Sequence, residues 1–392
     1  MMRVQHFAPL LLFILFLGLT SCSEDPTPGY TEEEYAILTE ILDLPKESFN
    51  YQTTLPAHLP TDFNSKSPEE LQAHNQAATL GRVLFYDKKL SKNGEVSCAS
   101  CHKQNLAFAD DVSRSKGFDG RESNRNSLPL GNTIGFETSY GGGSSFSLAG
   151  FGWDDVVPNI QLQSQLAFES EIEMGMKMED IVDIVSKEKY YNILHNNAFG
   201  HTGITEKSIL DALRSFVNSI SSVNSRFDEA IAKSSFNHLF NESGFPFLNS
   251  SENRGLNIYI NKCSSCHSVD HSFTAEASAS NGLDLYPEDL GKATLTFSEY
   301  DEGVFKVPFL RNVALTGPYM HDGRFETLGE VIDHYSSGIQ EHKNLHPILK
   351  DFNNNPMKMN FDDQEKEDLI AFLNTLTDYK LIDDIRFADP FR

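Results

Sequence analysis

Two short cysteine motifs are the part of this 392-residue sequence that most clearly points to chemistry. Cys98-Ala99-Ser100-Cys101-His102 and Cys263-Ser264-Ser265-Cys266-His267 both read C-x-x-C-H. Two sulfurs three residues apart lie on one side of a helical turn, where each can form a thioether to a haem vinyl group, and the adjacent histidine can ligate the iron. The motifs therefore predict two covalently bound c-type haems, with His102 and His267 as iron ligands.

A zinc site is the alternative for the same cysteines, because two C-x-x-C pairs can supply four thiolates in a tetrahedron. The histidine that directly follows each pair favours haem attachment instead. Once the proximal ligands are assigned, the opposite face of each iron decides between electron transfer and catalysis.

The charge of the chain limits its partners. Lys and Arg number 32 and Asp and Glu number 56, which gives a net charge of −24. An acidic surface repels phosphate backbones, so nucleic-acid binding is not expected. The same surface suits a basic protein such as a small electron carrier, or it serves only to keep the protein soluble.

The N-terminus reads as an export signal. An apolar run covers Ala8 to Leu19, and Leu19-Thr20-Ser21-Cys22 resembles a bacterial lipobox. We predict that residues 1–21 are a lipoprotein signal peptide and that Cys22 is acylated, which would anchor the protein by lipid alone at the periplasmic side or cell surface. A plain secretory signal with an incidental cysteine is the alternative. Residues 22–65 read as a tether and N-terminal segment.

Apolar periodicity predicts helices rather than strands along the chain. The predicted helices are Thr31 to Leu44, Leu71 to Leu84, Ile181 to Leu194, Lys207 to Ile231 and Phe361 to Leu376, and the stretch from Glu252 to Cys263 resembles the approach to the first motif. We expect a mostly α protein with long loops and two repeated units, residues 66–245 around the first motif and residues 246–392 around the second.

Further motifs around the two cysteine pairs resemble those of the bacterial di-haem cytochrome c peroxidase family, including its MauG-like branch. They are Leu80-Gly81-Arg82-Val83-Leu84-Phe85-Tyr86-Asp87, Arg125-Asn126-Ser127, Gly152-Trp153-Asp154, Lys306-Val307-Pro308 and Leu315-Thr316-Gly317-Pro318-Tyr319-Met320-His321-Asp322-Gly323. The resemblance implies two cytochrome c-like domains with one covalent haem each. It also implies a calcium ion bound by Asn126, Thr316 and Pro318, through an amide and two main-chain carbonyls.

The resemblance also implies catalytic groups beside the first haem. Trp153, Gln163 and Glu173 stand at the family's intervals of ten residues. A carboxylate can move the peroxide proton, and an amide can orient the peroxide, so Glu173 is expected as acid/base and Gln163 as the orienting group. Trp153 would carry an electron between the haems. Gln161 and Gln165 are alternatives to Gln163 if the register differs.

Many relatives cap the first iron with a histidine on the loop after the first motif. The matching position here is Phe118, and the sequence has no histidine between His102 and His195. Phenylalanine cannot ligate iron. We therefore expect the first haem to be open on its distal face in the ferric protein.

The second haem is capped by Met in the family's peroxidases and by Tyr in its MauG-like branch. The matching residue here is Tyr335, with His334 and Met320 as competitors. An anionic phenolate would lower the haem potential, whereas a neutral thioether would raise it. His321 and Arg324 are expected near this haem.

The chain departs from the family at two places near the distal site. The family's Trp-Asp-Gly-Arg reads Trp153-Asp154-Asp155-Val156, and a proline four residues after the glutamine is Ala167. These changes leave the natural substrate open.

Three functions are compatible with these residues. The first is a peroxidase that reduces hydrogen peroxide with electrons from a small cytochrome or copper protein. The second is a MauG-like enzyme that uses peroxide to oxidise residues of a partner protein, and the third is a di-haem electron carrier without catalysis.

Overall fold

The computed structural model describes residues 29–53, 66–133, 150–234, 244–269 and 274–392. The predicted signal peptide and Cys22 lie outside these ranges. Within them the protein is mostly helical, as expected, and long irregular segments connect the helices. No helix in these ranges is both long and apolar enough to cross a membrane.

The helices and strands of the described ranges follow in chain order. The α-helices are α1 (Glu32–Leu38), α2 (Pro68–Tyr86), α3 (Cys98–Cys101), α4 (Ile160–Glu169), α5 (Met178–Lys187), α6 (Lys189–Phe199), α7 (Glu206–Ser219), α8 (Arg226–Lys233), α9 (Ser250–Lys262), α10 (Ala293–Thr296), α11 (Leu328–Asp333), α12 (Asp363–Asn374) and α13 (Tyr379–Ile382). Strands β1 (Ser278–Ala279) and β2 (Phe305–Lys306) form one antiparallel pair, in which Ser278 is opposite Lys306. A π-helical turn, His334–Gly338, continues α11.

Capping boxes fix the start of several helices, because a polar side chain and a second one three residues later satisfy each other's free backbone amides. Ser67 and Glu70 form one at the start of α2. Asp362 and Glu365 form another at the start of α12. Both helices confirm sequence predictions, with ends that differ by a few residues.

Two predicted helices are each interrupted, and the sequence predictions were wrong there. The predicted helix 181–194 is divided between α5 and α6 by Glu188, whose backbone is extended. The predicted helix 207–231 is divided between α7 and α8. In the interruption the amides of Val223 and Asn224 donate to the Asp378 carboxylate at 3.0 and 2.9 Å, so a distant residue replaces the helical hydrogen bonds.

Each cysteine motif follows a helix that packs closely against a second helix at a glycine. A Cβ on Gly81 of α2 would lie 2.0 Å from the Ala212 carbonyl oxygen of α7. A Cβ on Gly255 of α9 would lie 1.9 Å from the Asp368 carbonyl oxygen of α12. Only glycine permits these approaches. The two helix pairs lie at the centres of two separate buried apolar clusters.

The two clusters do not divide the chain at a single position. Helix α8 packs into the second cluster through Phe227, ahead of residue 245. The C-terminal segment returns to the first cluster, where Phe387 is buried. There Arg82 donates to the Ala388 carbonyl at 2.6 Å and Tyr86 donates to the Phe387 carbonyl at 2.6 Å. The chain end therefore helps to hold α2, the helix before the first motif.

Candidate active site

The first cysteine motif is oriented for haem attachment by hydrogen bonds to its histidine. Helix α3 carries Cys98 and Cys101, neither of which forms a disulfide. His102 Nδ1 lies 3.0 Å from the Phe108 carbonyl oxygen and 3.3 Å from the Ser127 hydroxyl. These partners engage Nδ1 and leave Nε2 as the nitrogen for iron, the arrangement found in metal-binding histidines. Ser127 was not assigned this role from the sequence.

Glu173 lies close enough to the first motif for its charge to act on both cysteines. Burial is the main cause that raises the pKa of the Cys98 and Cys101 thiols, and the Glu173 charge adds a smaller rise to each. The Glu173 residue is exposed at the surface. The protein atoms around its carboxyl group nevertheless desolvate it and raise its pKa to about 7. A carboxyl group with this pKa can both accept and release a proton at neutral pH.

Phe118 is placed beside Glu173 by the backbone. Its amide donates to the Glu173 carbonyl oxygen at 2.9 Å, and its ring lies against Gly175. The Lys92 ammonium is 5.4 Å from the centre of the same ring. A side chain that cannot ligate iron therefore occupies the position next to the candidate acid/base.

Gln163 points away from the other two glutamines of α4. Its Oε1 is 3.5 Å from the place where a Cβ would stand on Gly152, in the loop that carries the tryptophan. Gln161 instead donates to Asp211 of α7 at 3.3 Å, and Gln165 approaches a glutamate one turn further along its own helix. Of the three, Gln163 is the one next to the Trp153 loop.

Trp153 connects the surroundings of the two motifs. Its indole Nε1 donates to the Asn126 carbonyl oxygen at 2.8 Å, and the next residue, Ser127, contacts His102. The same indole lines a cavity that contains the second motif and lies edge-on to His321, with ring centres 6.4 Å apart.

The cavity around the second motif has the size and lining of a site for a large apolar group. Its volume is about 490 Å³, and Cys263, Cys266 and His267 form part of its wall. Most of the rest is apolar, with Leu310, Leu373 and other aliphatic and aromatic side chains. Cofactor sites are commonly concave and apolar with a few placed polar groups, so these residues fit a covalently held haem.

Two of the three candidate caps for the second haem line this cavity. They are Tyr335 and Met320, and Asn281 donates to the Tyr335 hydroxyl at 3.4 Å and lies 3.7 Å from the Met320 sulfur. The ring of His334 instead contacts the Asn281 carbonyl oxygen at 3.2 Å. Burial raises the pKa of Tyr335 to about 12. His321 also lines the cavity, stacked on a phenylalanine ring, whereas Arg324 forms ion pairs with acidic residues.

We expect Tyr335→Phe to raise the potential of the second haem and to change its low-spin spectrum, because phenylalanine cannot supply the anionic phenolate that the sequence predicts as the cap of that haem. The shift should be on the order of 0.1 V, a small part of the roughly 0.8 V over which axial ligands move haem potentials. Redox titration of the haem-loaded protein measures it. Met320→Leu is the matched control, and a change in that variant alone would identify Met320 as the cap instead.

The four cysteines of the two motifs do not form one metal site. Within the described ranges no three side chains of His, Cys, Asp or Glu converge as metal ligands. The zinc alternative with four thiolate ligands therefore has no support in the fold. The backbone N–H of Asn126, a predicted calcium ligand, donates to the His321 carbonyl oxygen at 2.7 Å, which brings Asn126 beside the segment that contains Thr316 and Pro318.

The sequence comparisons point to one family. A family model described as di-haem cytochrome c peroxidase matches residues 75–235. The methylamine utilization protein MauG of Methylorubrum extorquens is 30% identical over 308 residues, which cover 77% of this chain and 78% of that protein. The cytochrome c551 peroxidase of Nitrosomonas europaea is 28% identical over 312 residues, covering 78% of this chain and 82% of that protein.

Solved structures are similar in fold. A MauG-like protein associated with microbial copper homeostasis superimposes with a TM-score of 0.67 and 29% identity, covering 89% of this chain and 98% of that one. The diheme peroxidase BthA from Burkholderia thailandensis gives a TM-score of 0.61 at 20% identity, covering 90% of this chain and 99% of that one. The second likeness concerns the fold alone.

Proposed function

This chain belongs to the di-haem cytochrome c peroxidase family, whose members include proteins named MauG, and we propose that it reduces hydrogen peroxide to water with electrons from a small redox protein. The observation that carries the proposal is the Glu173 carboxyl beside Cys98 and Cys101, with its pKa raised to about 7. The net charge of −24 suits a basic electron donor.

Each side chain at the first haem site has a separate proposed role. A c-type haem held by Cys98, Cys101 and His102 would supply an iron that binds peroxide and changes its charge by single electrons. Glu173 as carboxylate takes the proton from one peroxide oxygen and returns it to the other, which leaves as water. Gln163 lies beside the Trp153 loop and is proposed to orient the peroxide through its amide. Trp153 contacts the surroundings of both motifs and is the proposed electron path.

Steady-state turnover tests this proposal. The haem-loaded protein should oxidise reduced cytochrome c at a rate that depends on hydrogen peroxide. Two electrons and two protons convert each peroxide into two waters, so two reduced cytochromes should be consumed per peroxide. Peroxide-dependent haem bleaching without donor oxidation would contradict a peroxidase.

Oxidation of a partner protein's residues is the second candidate, and Phe118 and Tyr335 favour it. Phe118 stands where many relatives have a capping histidine, and Tyr335 lines the second cavity where the family's peroxidases have methionine. A peroxide-oxidised protein that is long-lived and reacts slowly with reduced cytochrome c would favour this candidate. A purely electron-carrying role would need both irons capped by side chains, which Phe118 cannot provide.

We expect Phe118→His to convert the open first site into a capped one. The high-spin ferric EPR signal should fall, and peroxide turnover of the fully oxidised protein should drop roughly tenfold, as for a blocking ligand present about nine-tenths of the time. Phe118→Leu is the matched control, because leucine also cannot ligate iron. A resting wild-type protein with only low-spin signals would contradict the open site.

We also propose a calcium ion at Asn126, Thr316 and Pro318. Amide and carbonyl oxygens are ligands that suit Ca²⁺, and the Asn126 backbone lies against the segment that follows Pro318. Metal analysis of the purified protein before and after chelation tests this site.

Finally, we propose that the protein is exported and held at a membrane by a lipid on Cys22. The proposal is supported by residues 19–22, which resemble a lipobox. Incorporation of labelled palmitate that is lost in Cys22→Ser tests the anchor.

A further inference from the structure

The loop that carries Trp153, residues 150–157, contacts two buried charged side chains, Asp155 and Lys306. Neither of them has a part in the reaction proposed above. Phe151 and Val157 pair at the base of the loop, with an N–H···O distance of 2.7 Å. Asp155, two residues after the tryptophan, has a φ of +55°, in the left-handed region that favours glycine. The family pattern Trp-Asp-Gly-Arg has glycine at this position. This chain has an aspartate there, although the left-handed backbone would favour glycine.

The Asp155 carboxylate meets two lysines. Its Oδ1 accepts from the Gly150 amide at 2.6 Å and lies 3.7 Å from the Lys306 ammonium, and its Oδ2 lies 3.5 Å from the Lys292 ammonium. Lys306 also donates to the Gly150 carbonyl at 2.8 Å. The side chain of Asp155 is fully buried and that of Lys306 is 7% exposed. Asp155 therefore accepts from the backbone amide of Gly150 and Lys306 donates to its carbonyl, so the two side chains together hold the residue that begins the loop.

The same lysine reaches the tryptophan through its backbone. The Lys306 amide donates to the Trp153 carbonyl oxygen at 2.9 Å, and both residues line the cavity of the second motif. Lys306 lies on β2, which pairs with β1 and is thereby held in place. The indole itself is fixed at its other end by Asn126. A shift of the loop would have to move the buried Asp155 carboxylate away from the two lysines around it, which is costly because a buried charge would lose its partners.

We propose that Asp155 and Lys306 are positioning residues, which hold the Trp153 indole in the gap between the two haem attachment motifs. The role of Trp153 in electron transfer rests on the proposed function. The placement of its indole by Asp155 and Lys306 does not. The two side chains suit this task because their hydrogen bonds to the amide and the carbonyl of Gly150 fix direction as well as distance. In this chain Asp155 stands at the position of the family's glycine, which has no side chain that could anchor the loop.

The single tryptophan of the sequence makes the position measurable. Haem quenches indole emission steeply with distance, so Trp153 in the haem-loaded wild type should be almost dark. Lys306→Met should raise the emission several-fold at equal haem content, and Asp155→Gly should raise it less. The double variant should exceed Lys306→Met only slightly, because both substitutions remove one interaction.

Two controls complete the experiment. Lys343→Met removes a lysine that is 52% exposed and should leave the emission unchanged, and Trp153→Phe gives the background. Asp155→Gly suits the left-handed backbone and keeps the test possible if Lys306→Met does not fold. Unchanged emission and near-UV circular dichroism in both variants would overturn the proposal. The measurement needs no peroxide turnover, so its outcome is independent of whether the protein is a peroxidase.

Discussion

Glu173→Gln should lower kcat/KM for hydrogen peroxide by about 10²- to 10⁴-fold, the usual contribution of a positioned acid/base group. Glutamine keeps the size of the side chain and can still donate a hydrogen bond, but it cannot carry the peroxide proton. Steady-state oxidation of reduced cytochrome c measures the effect. Haem content and the absorption spectrum should remain those of the wild type.

The pH dependence gives the same residue a second test. Desolvation by the surrounding protein atoms raises the pKa of Glu173 to about 7, and the reaction begins with the ionised carboxylate. The rate constant for peroxide should therefore rise as the pH increases through about 7 and fall below it. In Glu173→Gln this limb should disappear. A variant that retains both the wild-type rate and the limb would assign the proton transfer to another group.

Arg311→Met should lower the free energy of unfolding by about 3–5 kcal/mol, because it leaves the buried Asp228 carboxylate without its partner. The guanidinium donates to both carboxylate oxygens at 2.7 and 2.8 Å, and the two side chains are 1% and 2% exposed. The same carboxylate accepts the Ser225 amide at the start of α8. The pair thus joins α8 to the segment that follows β2.

Denaturant unfolding of the haem-loaded protein measures this change. Lys233→Met on the same helix is the control, since its ion pair with Glu229 is more than half exposed on both sides and such pairs contribute about 1 kcal/mol or less. A loss below about 1 kcal/mol in Arg311→Met would show that Asp228 finds other partners or takes up a proton.

The two C-x-x-C-H motifs could be predicted as haem attachment sites from the sequence because their chemistry is local. Two sulfurs and a histidine within five residues need only one helical turn to face the same way, and α3 provides that turn. Capping boxes at Ser67 and Asp362 are local for the same reason, since each involves residues three positions apart. The interruption between α7 and α8 was not predictable, because it depends on Asp378, more than 150 residues away in sequence.

The residues expected on the distal side of the first haem could be predicted from the sequence only in part. The spacing and resemblance pointed to Trp153, Gln163 and Glu173, but the roles of these residues remain proposals. The spacing favoured Gln163 over Gln161, and the fold separates the two, because the direction of a side chain on α4 depends on what packs around that helix.

The sequence by itself determined which residues can bond to haem and roughly where the helices lie, since both follow from covalent neighbours and short-range periodicity. The tertiary structure decided the raised pKa of Glu173, the meeting of Asn281 with Tyr335 and Met320, and the burial of Asp155 against Lys306. These features depend on desolvation and on distances between segments far apart in the chain. Such quantities exist only once the backbone has brought those segments together.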